Sequence, residues 1–164
     1  MFGRSLSQYV SFQKPILILI AVVWLLRLLL SMAGIPVSAA RFVSVTGVLL
    51  LGSLYYGWAA SRQGFGSFKQ LYGANLVQGL FSQTLVAAAI VLAIVMAKDN
   101  IYTIPEFYPP SAGNDATGLP PDGKNFGHAL AHIVVAGAIV GPIVGWVLSS
   151  IVHLVTRRSS RQLA

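Results

Sequence analysis

Four apolar runs, each about as long as a membrane is thick, constrain the fold of this chain more than any other feature of its sequence. They cover residues 15–33, 42–60, 71–97 and 127–155. A helix of about 20 apolar residues crosses the roughly 30 Å hydrocarbon core of a bilayer and satisfies its own backbone there. The sequence therefore predicts an all-α integral membrane protein, a bundle of four transmembrane helices with a long Pro/Gly-rich outer loop at 98–126.

The composition supports a membrane protein and excludes several kinds of site that depend on cysteine. Only 9% of the 164 residues are charged, whereas soluble domains carry about 25%. The absence of cysteine excludes disulfide frameworks, thiol nucleophiles and zinc sites built on thiolates. Since no internal repeat is evident, we expect residues 1–164 to form a single membrane domain.

The distribution of the basic residues predicts how the bundle is oriented. Lysine and arginine near the ends of membrane helices are retained on the cytoplasmic side. Besides Arg27, which lies within the first span, only Arg41, Lys98 and Lys124 fall on the side of the long loop. The opposite side carries the other seven, which are Arg4, Lys14, Arg62, Lys69, Arg157, Arg158 and Arg161. We therefore expect both termini in the cytoplasm and the long loop outside.

The net charge of +7 would suggest nucleic acid as a partner if the protein were soluble. No basic run is interleaved with aromatic residues on which bases could stack. We expect the lipid bilayer to be the partner of these charges, and we expect no nucleic acid.

Local signals mark several helix ends. Ser67 and Gln70 form an S-x-x-Q capping box before the third span. Asn125 or Asp122 is placed to cap the fourth. The first dozen residues place apolar side chains at helical spacing beside a basic one, which predicts a short helix lying on the inner leaflet.

Small residues recur every four positions in the fourth span, at Gly137, Gly141, Gly145 and Ser149. Such a row forms a groove into which a second helix can pack closely. The partner helix is either another helix of this bundle, a second copy of the chain or a foreign membrane subunit. Pro142 lies in the same stretch and lacks a backbone N–H, so we expect a kink there.

Polar side chains follow one face of the third span, at Asn75, Gln78 and Ser82, with Gln83 beside them. Amides are costly in hydrocarbon unless they are hydrogen-bonded. The stripe therefore indicates either hydrogen bonds between helices or a functional site, which would be a polar half-channel or a site for a lipid headgroup. Arg27, inside the first span, either extends to the outer interface or remains buried as a functional charge.

The pair His128 and His132 is the only candidate for binding a cofactor. The two lie four residues apart on one helical face, but the glutamate of a zinc-protease H-E-x-x-H motif is missing. One imidazole suffices as an axial ligand for a haem or a chlorophyll-type pigment. The alternative is hydrogen bonding at the membrane interface, and we expect no metal site.

The outer loop contains a cluster of aromatic residues, Tyr102, Phe107 and Tyr108, that are candidates for docking a partner. Long loops without regular structure are usually functional or disordered. Here the alternative to docking is a simple solvated cover of the outer face.

The absence of catalytic motifs and of charged residues suited to transport reduces the number of possible functions. No carboxylate lies in any span, and no hydrolase motif is present, so we predict no catalytic residues and no enzyme. The first hypothesis is a non-catalytic membrane subunit or scaffold of a larger assembly. The others are a small oligomeric channel or carrier with a polar path on the third span, and a histidine-ligated haem or pigment protein.

Overall fold

The computed structural model describes residues 2–40, 42–60, 62–63, 65, 67–103 and 124–162. Within these ranges the ordered elements are helical and no strand occurs. The helices are α1 (Leu6–Met32), α2 (Val37–Ala40), α3 (Val45–Ala59), α4 (Phe68–Met96), α5 (Phe126–Ala131), a π-helix (His132–Val140) and α6 (Gly141–Gln162). The last three follow one another without a break, and we call them together the C-terminal helix. The loop candidates Phe107 and Tyr108 lie outside the described residues.

Three helical segments are long and apolar enough to cross a membrane: Leu6–Met32, Phe68–Met96 and Phe126–Arg157. This is compatible with an integral membrane protein. The second predicted span is different, because α3 has 15 residues and is about 22 Å long at 1.5 Å per residue. That length is less than the roughly 30 Å of a hydrocarbon core. The prediction of a full span over 42–60 is therefore not confirmed, and the structure has a shorter apolar helix in this region.

Side-chain caps fix where α1 and α3 begin. Ser5 and Gln8 form a capping box, so α1 starts at Leu6 and continues without interruption into the first apolar run. The separate surface helix predicted for the first dozen residues is therefore wrong. At α3, the Ser44 hydroxyl accepts a hydrogen bond from the Gly47 N–H at 3.2 Å, which places the first turn three residues later than predicted.

Two predicted caps are confirmed. Ser67 and Gln70 form the capping box of α4, with the Gln70 N–H donating to the Ser67 hydroxyl at 3.2 Å. The Asn125 side chain accepts from the His128 N–H at 2.7 Å and starts the C-terminal helix. The alternative cap, Asp122, lies outside the described residues.

The buried clusters give the direction of each helix. At one end of the bundle the start of α1 and the start of α4 pack against the end of α3, through Tyr9, Phe12, Tyr56, Ala59, Ala60, Phe65, Leu71 and Ala74. At the other end the last turns of α1 and α4 meet the start of the C-terminal helix, through Leu28, Ala40, Val86, Ala87, Ala89, Ile90, Ile101, Tyr102 and Ala129. Hence α1 and α4 run in one direction, and α3 and the C-terminal helix run back.

The first of these ends carries Arg4, Lys14, Arg62 and Lys69, and we call it the basic end; the other is the loop end. Aromatic rings at the basic end lie beside the cations, as they do at membrane interfaces. The Arg62 guanidinium lies 4.2 Å from the centre of the Trp58 ring, and that of Arg4 lies 5.1 Å from the Phe65 ring.

The C-terminal helix widens before its proline. Residues His132–Val140 form a π-helix, and the Gly141 N–H donates to the Ala136 carbonyl five residues back. Pro142 follows directly; it cannot donate, and its ring crowds the carbonyl four residues earlier. The kink that we expected at Pro142 stays a prediction; the structure shows instead a wide helix that ends just before this residue. Short π-helical segments are rare and are frequently found at functional sites.

Candidate functional site

A pocket of about 590 Å³ lies between α3, α4 and the C-terminal helix. Ligand sites of proteins typically measure about 300–1,000 Å³. Seven of the residues singled out in the sequence line it, and these are Asn75, Gln78, Gln83, His128, His132, Gly141 and Gly145. The remaining lining residues are Thr46, Leu49, Leu50, Ser53, Gly79, Ala136, Val140 and Val144. Three separate sequence patterns therefore converge on one cavity.

The pocket opens on the apolar outer surface of the bundle. The most exposed of its lining residues, which we call its rim, are Leu50 of α3 and Val140 and Val144 of the C-terminal helix, at 41%, 51% and 46% exposure. These side chains are apolar, like the rest of the exposed surface around them. A molecule that reaches the pocket between α3 and the C-terminal helix must therefore pass an apolar rim.

Toward the basic end the pocket is closed by a hydrogen-bonded cluster, which we call the polar junction: Ser53, Asn75 and Ser149. Asn75 donates to the Leu71 carbonyl at 2.8 Å and to the Ser149 hydroxyl at 3.1 Å. The Ser53 hydroxyl donates to the Asn75 carbonyl oxygen at 2.7 Å. All three side chains are at most 2% exposed. The junction joins α3, α4 and α6, and it satisfies an amide that would otherwise be costly to bury.

Gly145 makes room for the polar junction. A Cβ atom on this residue would meet the Asn75 carbonyl oxygen and would lie 2.7 Å from the Ser53 hydroxyl oxygen. A side chain at this position would displace the junction, so glycine is required by the close approach of α6 to α3 and α4.

The other members of the small-residue row lie at contacts within the chain. A Cβ on Gly137 would lie 3.0 Å from the Gln83 Cβ, and one on Gly79 of α4 would lie 2.6 Å from the Gly137 carbonyl. Ser149 belongs to the polar junction. Gly141 is different, since its nearest neighbour is the Ala136 carbonyl of its own helix. The structure therefore brings Gly137, Gly145 and Ser149 against α3 and α4 of the same chain.

The rest of the polar stripe on α4 is also hydrogen-bonded. Gln78 donates to the Leu49 carbonyl of α3 at 2.9 Å, and its own carbonyl oxygen lies against Gly52. The Ser82 hydroxyl donates to the Gly79 carbonyl of its own helix at 3.1 Å. Gln78 and Ser82 are 2% and 0% exposed. The Gln78 amide nitrogen and the Ser82 hydroxyl thus donate within the bundle, whereas the Gln78 carbonyl oxygen is buried without a hydrogen-bond partner in the described part of the chain.

The other end of the pocket holds His128 and His132, the histidine pair. The Nδ1 atom of His132 lies 2.7 Å from the Gln83 carbonyl oxygen, and its Nε2 atom lies 3.1 Å from Nε2 of His128. With the Gln83 amide oriented in this way, its oxygen accepts from the Nδ1–H of His132. The hydrogen bond between the two Nε2 atoms needs a proton on one of them and a lone pair on the other, and the tautomers set its direction. The three side chains form one ordered hydrogen-bonded chain.

The arrangement of the histidine pair bears on what it could bind. The two Nε2 atoms are directed at each other, so an axial bond from either Nε2 to a haem or pigment metal requires this contact to open. No group of three or more metal-ligating side chains occurs in the described part of the chain. A role of the pair as a cofactor ligand stays a prediction.

Arg27 and Tyr102 lie at the loop end, apart from the pocket. Arg27 is 3% exposed, and its guanidinium lies 5.5 Å from the centre of the Tyr102 ring. The Tyr102 hydroxyl donates to the Trp24 carbonyl at 3.0 Å, and the Ile101 N–H donates to the Ser31 hydroxyl at 2.9 Å. The first part of the outer loop is thus folded onto α1, and Tyr102 is buried rather than presented at the surface.

Sequence reasoning missed the contribution of α3 to the site. Thr46 and Ser53 are seven residues apart in an otherwise apolar helix, which places both hydroxyls on one face. Both line the pocket. Their seven-residue separation was the sequence signal from which this shared face could have been predicted. The π-helix, by contrast, left no comparable pattern apart from Pro142.

The chain matches no protein-family model, no curated protein and no solved structure. The functional interpretation therefore rests on the pocket and its lining residues.

Proposed function

We propose that this protein is a non-enzymatic integral membrane protein of the carrier or receptor type, which holds a small lipophilic molecule in the pocket between α3, α4 and the C-terminal helix. One observation carries the proposal: a cavity of about 590 Å³ with an apolar rim and polar groups at both ends. Ligand sites are typically apolar concavities with a few well-placed polar groups.

Binding fits this cavity better than conduction does. A conducting path must continue from one side of the membrane to the other. On the basic side of the pocket lie the polar junction and, beyond it, the packed side chains of Tyr56 and Leu71, both 0% exposed. The hydrogen bonds of Asn75, Gln78 and Ser82 are made to the bundle itself. The predicted polar path on α4 thus gains no support as a channel, whereas a pocket that is closed toward the basic end suits a carrier or a receptor.

The hypothesis of a membrane subunit or scaffold stays a prediction. It was motivated by the row of small residues and by the outer loop. Gly137, Gly145 and Ser149 are used for packing within the chain, and Tyr102 is buried, so these residues give it no support. The apolar outer surface is compatible with lipid or with other membrane proteins, and the pocket function does not exclude either.

We further propose the orientation predicted from the basic residues, with the basic end and both termini in the cytoplasm. This places the histidine pair and the Lys98 end of α4 toward the outside. The apolar rim of the pocket then faces the bilayer, which is the natural source of a lipophilic ligand.

Native mass spectrometry of protein extracted gently from its own membrane tests the binding function. We expect a bound non-protein mass that is lost in Ala136→Trp, because Ala136 lines the pocket and an indole would fill it. The control is Val135→Trp, since Val135 is 50% exposed and does not line the pocket. We expect at least about ten-fold lower occupancy in the first variant and unchanged occupancy in the second. Equal occupancy in both variants, or no bound molecule in the parent protein, would contradict the proposal.

A further inference from the structure

We propose that the molecule held in the pocket is uncharged and carries a carbonyl oxygen, which accepts a hydrogen bond from the side-chain amide of Gln83. This inference rests on the proposed binding function and adds the chemical class of the ligand. It is drawn from the polar groups that line the pocket and from the absence of charge among them.

The direction of the hydrogen bond at Gln83 determines what the amide offers to a ligand. Its carbonyl oxygen accepts from His132 at 2.7 Å, and this is its only side-chain hydrogen bond in the described part of the chain. The Nε2 atom, with two N–H donors, therefore remains to be satisfied. Gln83 is partly exposed and lines the pocket. A ligand with an acceptor at this position can accept from these N–H groups.

The lining also indicates that the ligand carries no charge. None of the fifteen lining residues is a lysine, arginine, aspartate or glutamate. A carboxylate or an ammonium group in this apolar cavity would find none of these four side chains as a counter-charge, and an unpaired charge is costly in a medium of low dielectric constant.

A carbonyl oxygen meets both requirements. It is uncharged, and its two lone pairs can accept from both N–H groups of the Gln83 amide or from one of them and a second donor. The rest of the ligand lies along Leu49, Leu50, Val140 and Val144, so it must be apolar. An ester or a ketone on a hydrocarbon skeleton is the chemical class that these contacts select.

Matched probes on one alkyl chain test the inference: the methyl ester, the carboxylate, the primary amine and the plain hydrocarbon. Each is added to delipidated protein in detergent, and binding is measured by native mass spectrometry. We expect the ester to bind on the order of five-fold more tightly than the hydrocarbon, the effect of one neutral hydrogen bond. The two charged probes should bind more weakly than the ester.

Infrared spectroscopy of the bound ester provides a second test. It reports directly on the hydrogen bond to the ester carbonyl, so a substitution that only perturbs the fold would not produce the same result. Accepting a hydrogen bond lowers the carbonyl stretching frequency. We expect this downshift in the parent protein and in the control Thr84→Leu, because Thr84 is exposed on the next position of α4 and does not line the pocket. In Gln83→Leu the downshift should disappear, and the preference for ester over hydrocarbon should disappear with it.

The outcomes separate this inference from the binding function. If the ester and the hydrocarbon bind equally to the parent protein, or if a charged probe binds best, the inference is wrong and the pocket function stands. A downshift that persists in Gln83→Leu also overturns it. If no probe binds and no molecule is bound on extraction, the binding function itself fails.

Discussion

Replacing Gly145 by alanine is expected to destabilise the folded bundle by about 2–4 kcal/mol. The new methyl group would meet the Asn75 carbonyl oxygen and the Ser53 hydroxyl oxygen, which form the polar junction. Overpacking a close contact costs about 1–3 kcal/mol, and separating a buried hydrogen-bonded pair adds about 1 kcal/mol. The free energy of unfolding in mixed micelles, followed by circular dichroism, measures the effect.

The chain offers a matched control and a rescue for this substitution. Gly47→Ala makes the same chemical change in α3, where the nearest side-chain atom to the new Cβ is 3.6 Å away. We expect it to be neutral or slightly stabilising, since alanine favours helix over glycine by about 1 kcal/mol. In a background with Ser53→Ala and Asn75→Ala, the cost of Gly145→Ala should fall below about 1 kcal/mol. An equal cost in both backgrounds would show that the junction is not what Gly145 accommodates.

In intact cells, a single cysteine at the loop end of the bundle is expected to be labelled, and one at the basic end is expected not to be labelled. The parent chain has no cysteine, so each introduced thiol reports alone. Ser7 lies at the basic end and Lys98 at the loop end, and both are exposed. Because basic residues are retained in the cytoplasm, a membrane-impermeant maleimide added to intact cells should label Lys98→Cys. Ser7→Cys should be labelled only after the cells are permeabilised.

The directions of α1 and α4 ensure that the two labelled positions lie at opposite ends of the bundle. The starts of α1 and α4 pack together at the basic end, and their last turns pack together at the loop end. Ser7 and Lys98 therefore lie at opposite ends of parallel helices, whatever the short helix α3 does. The reverse labelling pattern would contradict the proposed orientation, and labelling of both thiols in intact cells would contradict a transmembrane bundle.

Much of the fold followed from local sequence signals. The apolar runs located the three long segments, and the caps at Ser67 and Asn125 were readable because capping depends on residues within one turn. The length of α3 was not readable in this way. Its apolar run begins near Phe42, but the helix begins after the cap at Ser44, and hydrophobicity alone does not distinguish extended from helical apolar residues.

The candidate site was predicted in parts but not as a whole. The spacing of His128 and His132 placed them on one face, and they are in contact. Their partner Gln83 lies 49 positions earlier along the chain, and the pairing of α4 with the C-terminal helix depends on tertiary packing. The π-helix was not predicted from the sequence either. It ends just before Pro142 and lies against α4 where Gly137 meets Gly79, a contact between residues that are far apart in the sequence.

The central claim, that the pocket holds a lipophilic molecule beside a widened helix, is tested most directly by a density map of the protein in nanodiscs of its native lipid. We predict elongated density between α3 and the π-helix His132–Val140, with one end in hydrogen-bonding distance of the Gln83 amide. A map in which the C-terminal helix is α-helical throughout, and in which Leu50 and Val140 close the space between them, would contradict it.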